Sequence, residues 1–245
     1  IRDQVIIATK GGMLPHKGFS MNQDFTEKHL RQALENSLKR LQTDYVDIYQ
    51  LHNPKLDILE NSNAIQTLEK LKAEGKIIEI GISVRSPDDA VISLEKFNFP
   101  IIQVNFNMID QRALDNGLFN LAKENNTGII IRTPLVFGYL SSKLDGKEKF
   151  TNNDHRSNWP KEQRKIWAEA PNLFKQYGLY NSRSPVQVAI MFCLSFDGVT
   201  TVIPGMMNVE HVKENVVSIT NKYLSEDEQY IISNIYKSNN FFRET

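Results

Sequence analysis

The sequence predicts an α/β protein built on parallel strands joined by crossover helices. Short, β-branched apolar runs alternate along the chain with segments of helical periodicity. That alternation of strand with helix, rather than strand with strand, calls for crossovers and a parallel sheet. The third observation is that nearly every strand-like run stops at a polar side chain. At 245 residues the chain suits one domain, 1–245.

The elements follow in order. Val5, Ile6, Ile7, Ala8 and Thr9 form the first strand, with Lys10 at its carboxyl end and Gly11-Gly12 closing it. Thr26 opens a helix with Leu30, Ala33, Leu34, Leu38 and Leu41 on one face. The run 45–52 is a buried strand that ends at His52, where Asn53-Pro54 stops the pairing. Ile65, Leu68 and Leu71 mark a helix over 64–72, ended by Gly75. A strand covers 77–83, and Ser86-Pro87-Asp88-Asp89 caps a helix that runs to Lys96. Next come a strand over 101–105, a helix over 113–124 and a strand over 128–132. Residues 141–159 have few apolar side chains and read as a surface loop over the strand ends. Helices resume over 161–177 and 184–196. The last strand covers 200–203, followed by a helix over 209–219 and an amphipathic helix over 225–237. This makes six strands, where a closed (β/α)8 barrel has eight.

The strand ends form a set: Lys10, His52, Ser83, Gln103 with Asn105 and Asn107, Arg132 with Thr133, and Gly205. Core packing gives no reason for strands to end this way, and in a parallel barrel this edge is where ligands collect. An open doubly wound sheet is the competing architecture, but the chain has no G-x-G-x-x-G.

Six segments, in order, resemble the aldo-keto reductase family. They are Ile7-Ala8-Thr9-Lys10-Gly11, Asp47-Ile48-Tyr49-Gln50-Leu51-His52-Asn53-Pro54, Ile80-Gly81-Ile82-Ser83 and Gln103-Val104-Asn105-Phe106-Asn107, then the segment from Thr133-Pro134-Leu135 to Leu140, and Ile203-Pro204-Gly205 through Glu214-Asn215. The resemblance implies a (β/α)8 TIM barrel, of which this chain carries about six strands. It also implies reduction of an aldehyde or ketone by hydride transfer from NADP(H), with NAD(H) possible. By motif, Lys10 is similar to the lysine that tunes the family's catalytic tyrosine, and His52 to the histidine that orients the carbonyl. That tyrosine and its aspartate belong to a segment before the third barrel strand, where this chain is expected to begin.

The same resemblance implies the cofactor residues. Ser83 and Gln103 are similar to the pair that holds the carboxamide. Phe106 occupies the position of an aromatic stacking on the nicotinamide, a core ring being the competing reading. Pro134, Leu135 and Gly138, with Lys143, resemble the segment around the pyrophosphate, and Arg156 reaches it from the long loop. Gly205, His211, Glu214 and Asn215 resemble the adenosine end. Two departures stand out: Val84 follows Ser83 where many members have Asn, and Met206-Met207 follow Gly205 where a basic residue often binds the 2′-phosphate. A cofactor-binding regulatory or partner subunit with little turnover is the alternative from another class. A barrel enzyme acting on phosphorylated substrates is the weaker third.

Composition excludes other classes. Twenty-nine basic residues balance 29 acidic ones, which leaves no general attraction for nucleic acid or anionic membrane. No apolar run reaches the length of a membrane span. The five histidines (16, 29, 52, 155 and 211) lack metal-ligand spacing. The single Cys193, flanked by apolar residues, reads as a buried thiol in a reducing, cytoplasmic compartment. Met206, Met207, Phe241 and Phe242 read as packing contacts.

Overall fold

The computed structural model describes residues 1–15, 21–220 and 223–242, so His16 lies outside the described residues. The chain divides into two compact units, Ile1–Val104 with Asn120–Ile129, and Asn105–Phe119 with Ile130–Thr245.

The first unit is a run of β/α repeats. Its elements are β1 (Ala8–Gly11), α1 (Glu27–Leu41), β2 (Val46–His52), α2 (Leu56–Asn61), α3 (Ala64–Ala73), β3 (Ile77–Ser83), α4 (Pro87–Phe97) and β4, which spans Ile101–Asn105. Parallel pairing joins β1 to β2, β2 to β3 and β3 to β4. The Thr26 side chain caps α1 by accepting from His29 N, and Ser86 caps α4 through Asp89 N. Leu30, Leu34 and Leu38 form the buried stripe of α1, each contributing roughly 1.5–3 kcal/mol. Tyr49 fixes how α1 lies on the sheet. It is buried, its hydroxyl donates to Leu30 O at 2.9 Å, and a Cβ on Gly11 would stand 2.1 Å from that hydroxyl. Only glycine fits there.

β1 begins three residues later than the sequence suggests. Arg2–Gln4 form a 3-10 turn, Ile6 is 78% exposed, and Lys10 lies within the strand rather than just past it. Val5 and Ile6 are apolar like a strand but precede the paired backbone, which begins at Ala8. The short α2 was not legible either, because six residues hold too little periodicity.

The second unit carries α5 (Arg112–Asp115), β6 (Thr201–Ile203), α7 (Lys161–Gln176), α8 (Pro185–Leu194), α9 (Val209–Thr220) and α10 (Glu226–Ser238). α6 (Leu118–Glu124) and β5 (Gly128–Arg132) each have residues in both units, as does β4 through Asn105. The single helix expected over 113–124 is two, broken at Asn116 and at Gly117, whose φ is +78°. β5 pairs in parallel with β6. Capping boxes at Ser184 and Ser225 start α8 and α10. The core of this unit holds two aromatic groups. One joins Phe106, Phe119, Phe192 and Phe196, and the other gathers Phe137, Tyr139, Trp159 and Trp167. No helix among the described residues is long and apolar enough to cross a membrane.

Candidate functional site

In the first unit, sheet register gathers polar side chains on one face. Tyr49 points to α1, so its neighbours Gln50 and His52 point to the opposite face. Lys10 is in register with Gln50, His52 with Ser83, and Ser83 with Gln103. Residues in register share a face, so Lys10, His52, Ser83 and Gln103 all lie opposite α1. Lys10 sits one two-residue step below His52, roughly 7 Å along the strand direction. His52 and Ser83 end their strands. The Asn53 side-chain amide meets Ser83 Oγ at 3.0 Å, and Asn53 adopts a left-handed φ of 52°.

Gln50 occupies the row of Lys10. It is fully buried, and among the described residues neither its amide nitrogen nor its oxygen has a hydrogen-bond partner. A buried amide without partners costs roughly 1–3 kcal/mol, a burden typical of functional sites. Sequence reasoning missed Gln50 and Asn53. The available signal was a glutamine inside an otherwise apolar strand and an Asn directly after its final residue.

In the second unit a cleft of about 820 Å³ opens beside the chain that leaves β5. Its walls include Pro134, Leu135, Gly138, Lys143, Arg156, Gly205, His211, Glu214 and Asn215, so nine predicted residues from three separate stretches line one space. The volume falls within the usual range of ligand sites. The loop over 141–159 forms one wall, with a 3-10 turn over His155–Asn158.

The loop after β5 is held in an uncommon conformation. Thr133, Val136 and Phe137 have φ of 58°, 47° and 57°, and Gly138 has 101°. Polar residues at neighbouring strand ends hold this shape. Asn107 Nδ2 donates to Thr133 O at 3.1 Å, Asn105 Oδ1 accepts from the Thr133 hydroxyl, and Arg112 grips Asp110 with two 2.8 Å bonds. Burial, the larger influence, lowers the pKa of Arg132 in this cluster, against the favourable charge of Asp110.

The adenosine-like end is built differently. Gly205 has open space around the position a Cβ would take and no positive φ, so its own backbone does not require glycine. The missing side chain leaves room in the wall. Asn215 is 7% exposed, and its amide nitrogen has no partner among the described residues. Glu214 accepts from Ser184 Oγ at 2.8 Å and lies 3.7 Å from Lys143 Nζ. Arg156 binds Asp154 through Nε and Nη2 at 2.6–3.1 Å and stacks over Phe150 at 4.2 Å. That guanidinium holds the Asp154 carboxyl down to about 2.

Two expectations are corrected. Phe106 is fully buried among Phe119, Phe192 and Phe196, with no ring face open to a cofactor, so the core reading holds. Its partners lie far along the chain, which is why its position alone misled. Met207 is 88% exposed and lines the cleft, and Met206 is half-exposed, so neither is a packing contact. Phe241 is buried and Phe242 meets Trp167 edge-on. Cys193 is fully buried, its thiol pKa raised by desolvation, with Sγ 3.6 Å from Phe106 O.

Comparison with known proteins places the chain in a family. Residues 1–237 match the aldo/keto reductase family. The chain is 28% identical to the L-glyceraldehyde 3-phosphate reductase of Escherichia coli (strain K12), covering 94% of this chain and 70% of that protein. It is 25% identical to the NADH-specific methylglyoxal reductase of the same organism, covering 89% and 70%. The holo form of the aldo-keto reductase AKR11C1 from Bacillus halodurans superposes with a TM-score of 0.74 at 28% identity, covering 96% of this chain and 74% of that one.

Proposed function

This chain belongs to the aldo/keto reductase family, its described residues forming six parallel strands of that family's (β/α)8 barrel, and we propose that it reduces a small aldehyde or ketone with a bound nicotinamide dinucleotide. The observation that carries the reading is the meeting of nine motif-predicted residues on one cleft. Two features of the cleft suit a dinucleotide. Gly205 leaves space that any Cβ would begin to fill, and Asn215 keeps a buried amide nitrogen without a partner. In this reading Pro134, Leu135, Gly138, Lys143 and Arg156 surround the pyrophosphate. Gly205, His211, Glu214 and Asn215 take the adenosine, while Ser83 and Gln103 hold the carboxamide. NAD(H) and NADP(H) both fit that description, since they differ by one phosphate at the adenosine end.

When bound, the nicotinamide supplies the hydride. His52 donates a hydrogen bond to the substrate carbonyl oxygen and stabilises the charge that grows there. The Lys10 ammonium lowers the pKa of a neighbouring phenol and eases its proton donation. The resemblance implies that this phenol is a tyrosine outside the motifs matched here. Tyr49 is excluded because it is buried against α1, and Tyr45 lies under the Arg2 guanidinium at 4.0 Å. The relatives' names point to small α-oxygenated aldehydes as substrates. The buried Cys193 thiol suits a reducing compartment such as the cytoplasm.

The test is dinucleotide oxidation with methylglyoxal and L-glyceraldehyde 3-phosphate. Lys10→Met and His52→Ala should each lower kcat by about 10²–10⁴ while the dinucleotide still binds. Unchanged turnover in both variants would defeat the assignment. Dinucleotide binding with no turnover of any aldehyde by the unaltered protein would favour the cofactor-binding partner subunit instead.

A further inference from the structure

We propose that the adenosine end of the cleft takes a free ribose 2′-hydroxyl and rejects a 2′-phosphate, so that the protein uses NAD(H) in preference to NADP(H). The inference rests on the dinucleotide reading of the cleft, and it replaces the NADP(H) expectation drawn from the resemblance.

The charged side chains lining the cleft are Lys143, Arg156, His155 and His211 against Asp154 and Glu214. Both strong cations belong to the pyrophosphate segment in this reading, and each already has an acidic partner. Arg156 spends Nε and Nη2 on Asp154 and lays its plane over Phe150. Lys143 is paired with Glu214, whose carboxylate Ser184 Oγ also fixes in place. His155 Nδ1 lies 3.9 Å from Asp154 Oδ1. His211 Nδ1 accepts a hydrogen bond from Met207 N at 3.3 Å. Lys213, on α9, is not among the lining residues.

A phosphate monoester carries close to two negative charges at neutral pH and asks for cationic or N–H donors. Directly after Gly205, where the resemblance places such donors, are the thioethers of Met206 and Met207, the second of them lining the cleft, and a thioether donates nothing. The wall instead presents the fixed Glu214 carboxylate. An acceptor of that kind suits the hydroxyls and exocyclic amine of an unphosphorylated adenosine. Toward a phosphate it is repulsive, and specificity commonly rests on such a repulsive element.

The test is direct binding. The protein's two tryptophans, Trp159 and Trp167, both contact Phe137, a cleft residue, at 5.7 and 5.6 Å between ring centroids. Their fluorescence therefore reports on this site, and calorimetry supplies an independent readout. NADH should bind at least tenfold tighter than NADPH, and 5′-AMP tighter than its 2′-phosphorylated counterpart. Met207→Arg, at the methionine that lines the cleft, should improve NADPH relative to NADH at least tenfold. NADPH binding as tightly as NADH, or a Met207→Arg ratio unchanged from the parent, would overturn the preference while leaving the dinucleotide site standing. Absence of any signal from both dinucleotides would overturn the site reading together with this one.

Discussion

Asp154 and Arg156 are two residues apart, and their pairing fixes one wall of the cleft. The two-pronged bond from Arg156 holds the Asp154 carboxyl at about 2, against an ordinary value of 3.8, and in return the guanidinium pKa is raised. A carboxyl depressed in the folded state contributes stability that is fully present above its unfolded pKa and is lost as pH falls through its folded one. The Asp154 contribution should therefore fade between roughly pH 4 and pH 2. A carboxyl titration followed by NMR should place Asp154 near 2, and Arg156→Gln should move it back toward 3.8. A midpoint near 3.8 in the unaltered protein would mean that the pair does not form in solution. Charge spacing of this kind was partly legible in Asp154-His155-Arg156. The surroundings of Phe106 were not, because Phe192 and Phe196 reach it only through folding.

At the scale of elements, the segment leaving β5 combines function with strain. Two β-branched residues and an aromatic one adopt left-handed φ, at a cost of roughly 1–2 kcal/mol each. Nothing in the run from Thr133 to Phe137 announces that conformation, since such side chains ordinarily avoid it. The strand and helix periods around it were legible because they depend on local spacing. The loop shape depends on Asn105 and Asn107, which belong to another strand end, and on the packing of Phe137 against Trp159 and Trp167. The polar strand ends that suggested a ligand rim thus include residues whose own work is to hold a loop. Asn107→Ala removes the donor to Thr133 O and the side-chain oxygen that accepts from Ile109 N at 3.0 Å. It should lower stability by about 1–3 kcal/mol and weaken dinucleotide binding at least tenfold. Leu38→Ala, a cavity in the α1 stripe, should cost roughly 2–5 kcal/mol with no change in binding. Denaturant midpoints measured beside tryptophan titrations separate the two effects. Equal affinity in both variants would show that the loop keeps its shape without Asn107.

At the scale of the whole molecule, 29 positive and 29 negative side chains cancel, and many do so over short distances. In the first unit Glu27 meets Arg31 and Lys70, both at 2.9 Å, and Arg31 meets Glu74 at 2.8 Å. In the second, Lys143 meets Glu214 and Arg156 meets Asp154. The balance is legible from composition, but the long-range pairing is not, because Glu74 lies 43 residues from Arg31 and Glu214 lies 71 from Lys143. Paired charges leave little field beyond a Debye length, about 10 Å at 0.1 M salt. A dianionic dinucleotide therefore approaches without long-range steering, unlike ligands of clefts lined by one sign of charge, whose capture falls steeply with salt. Stopped-flow tryptophan quenching should show an association rate for NADH that changes by less than about twofold between roughly 20 and 200 mM salt. A tenfold fall over that range would require an unbalanced positive field at the cleft mouth. That field would also favour an extra phosphate, so the same measurement bears on the preference for NAD(H).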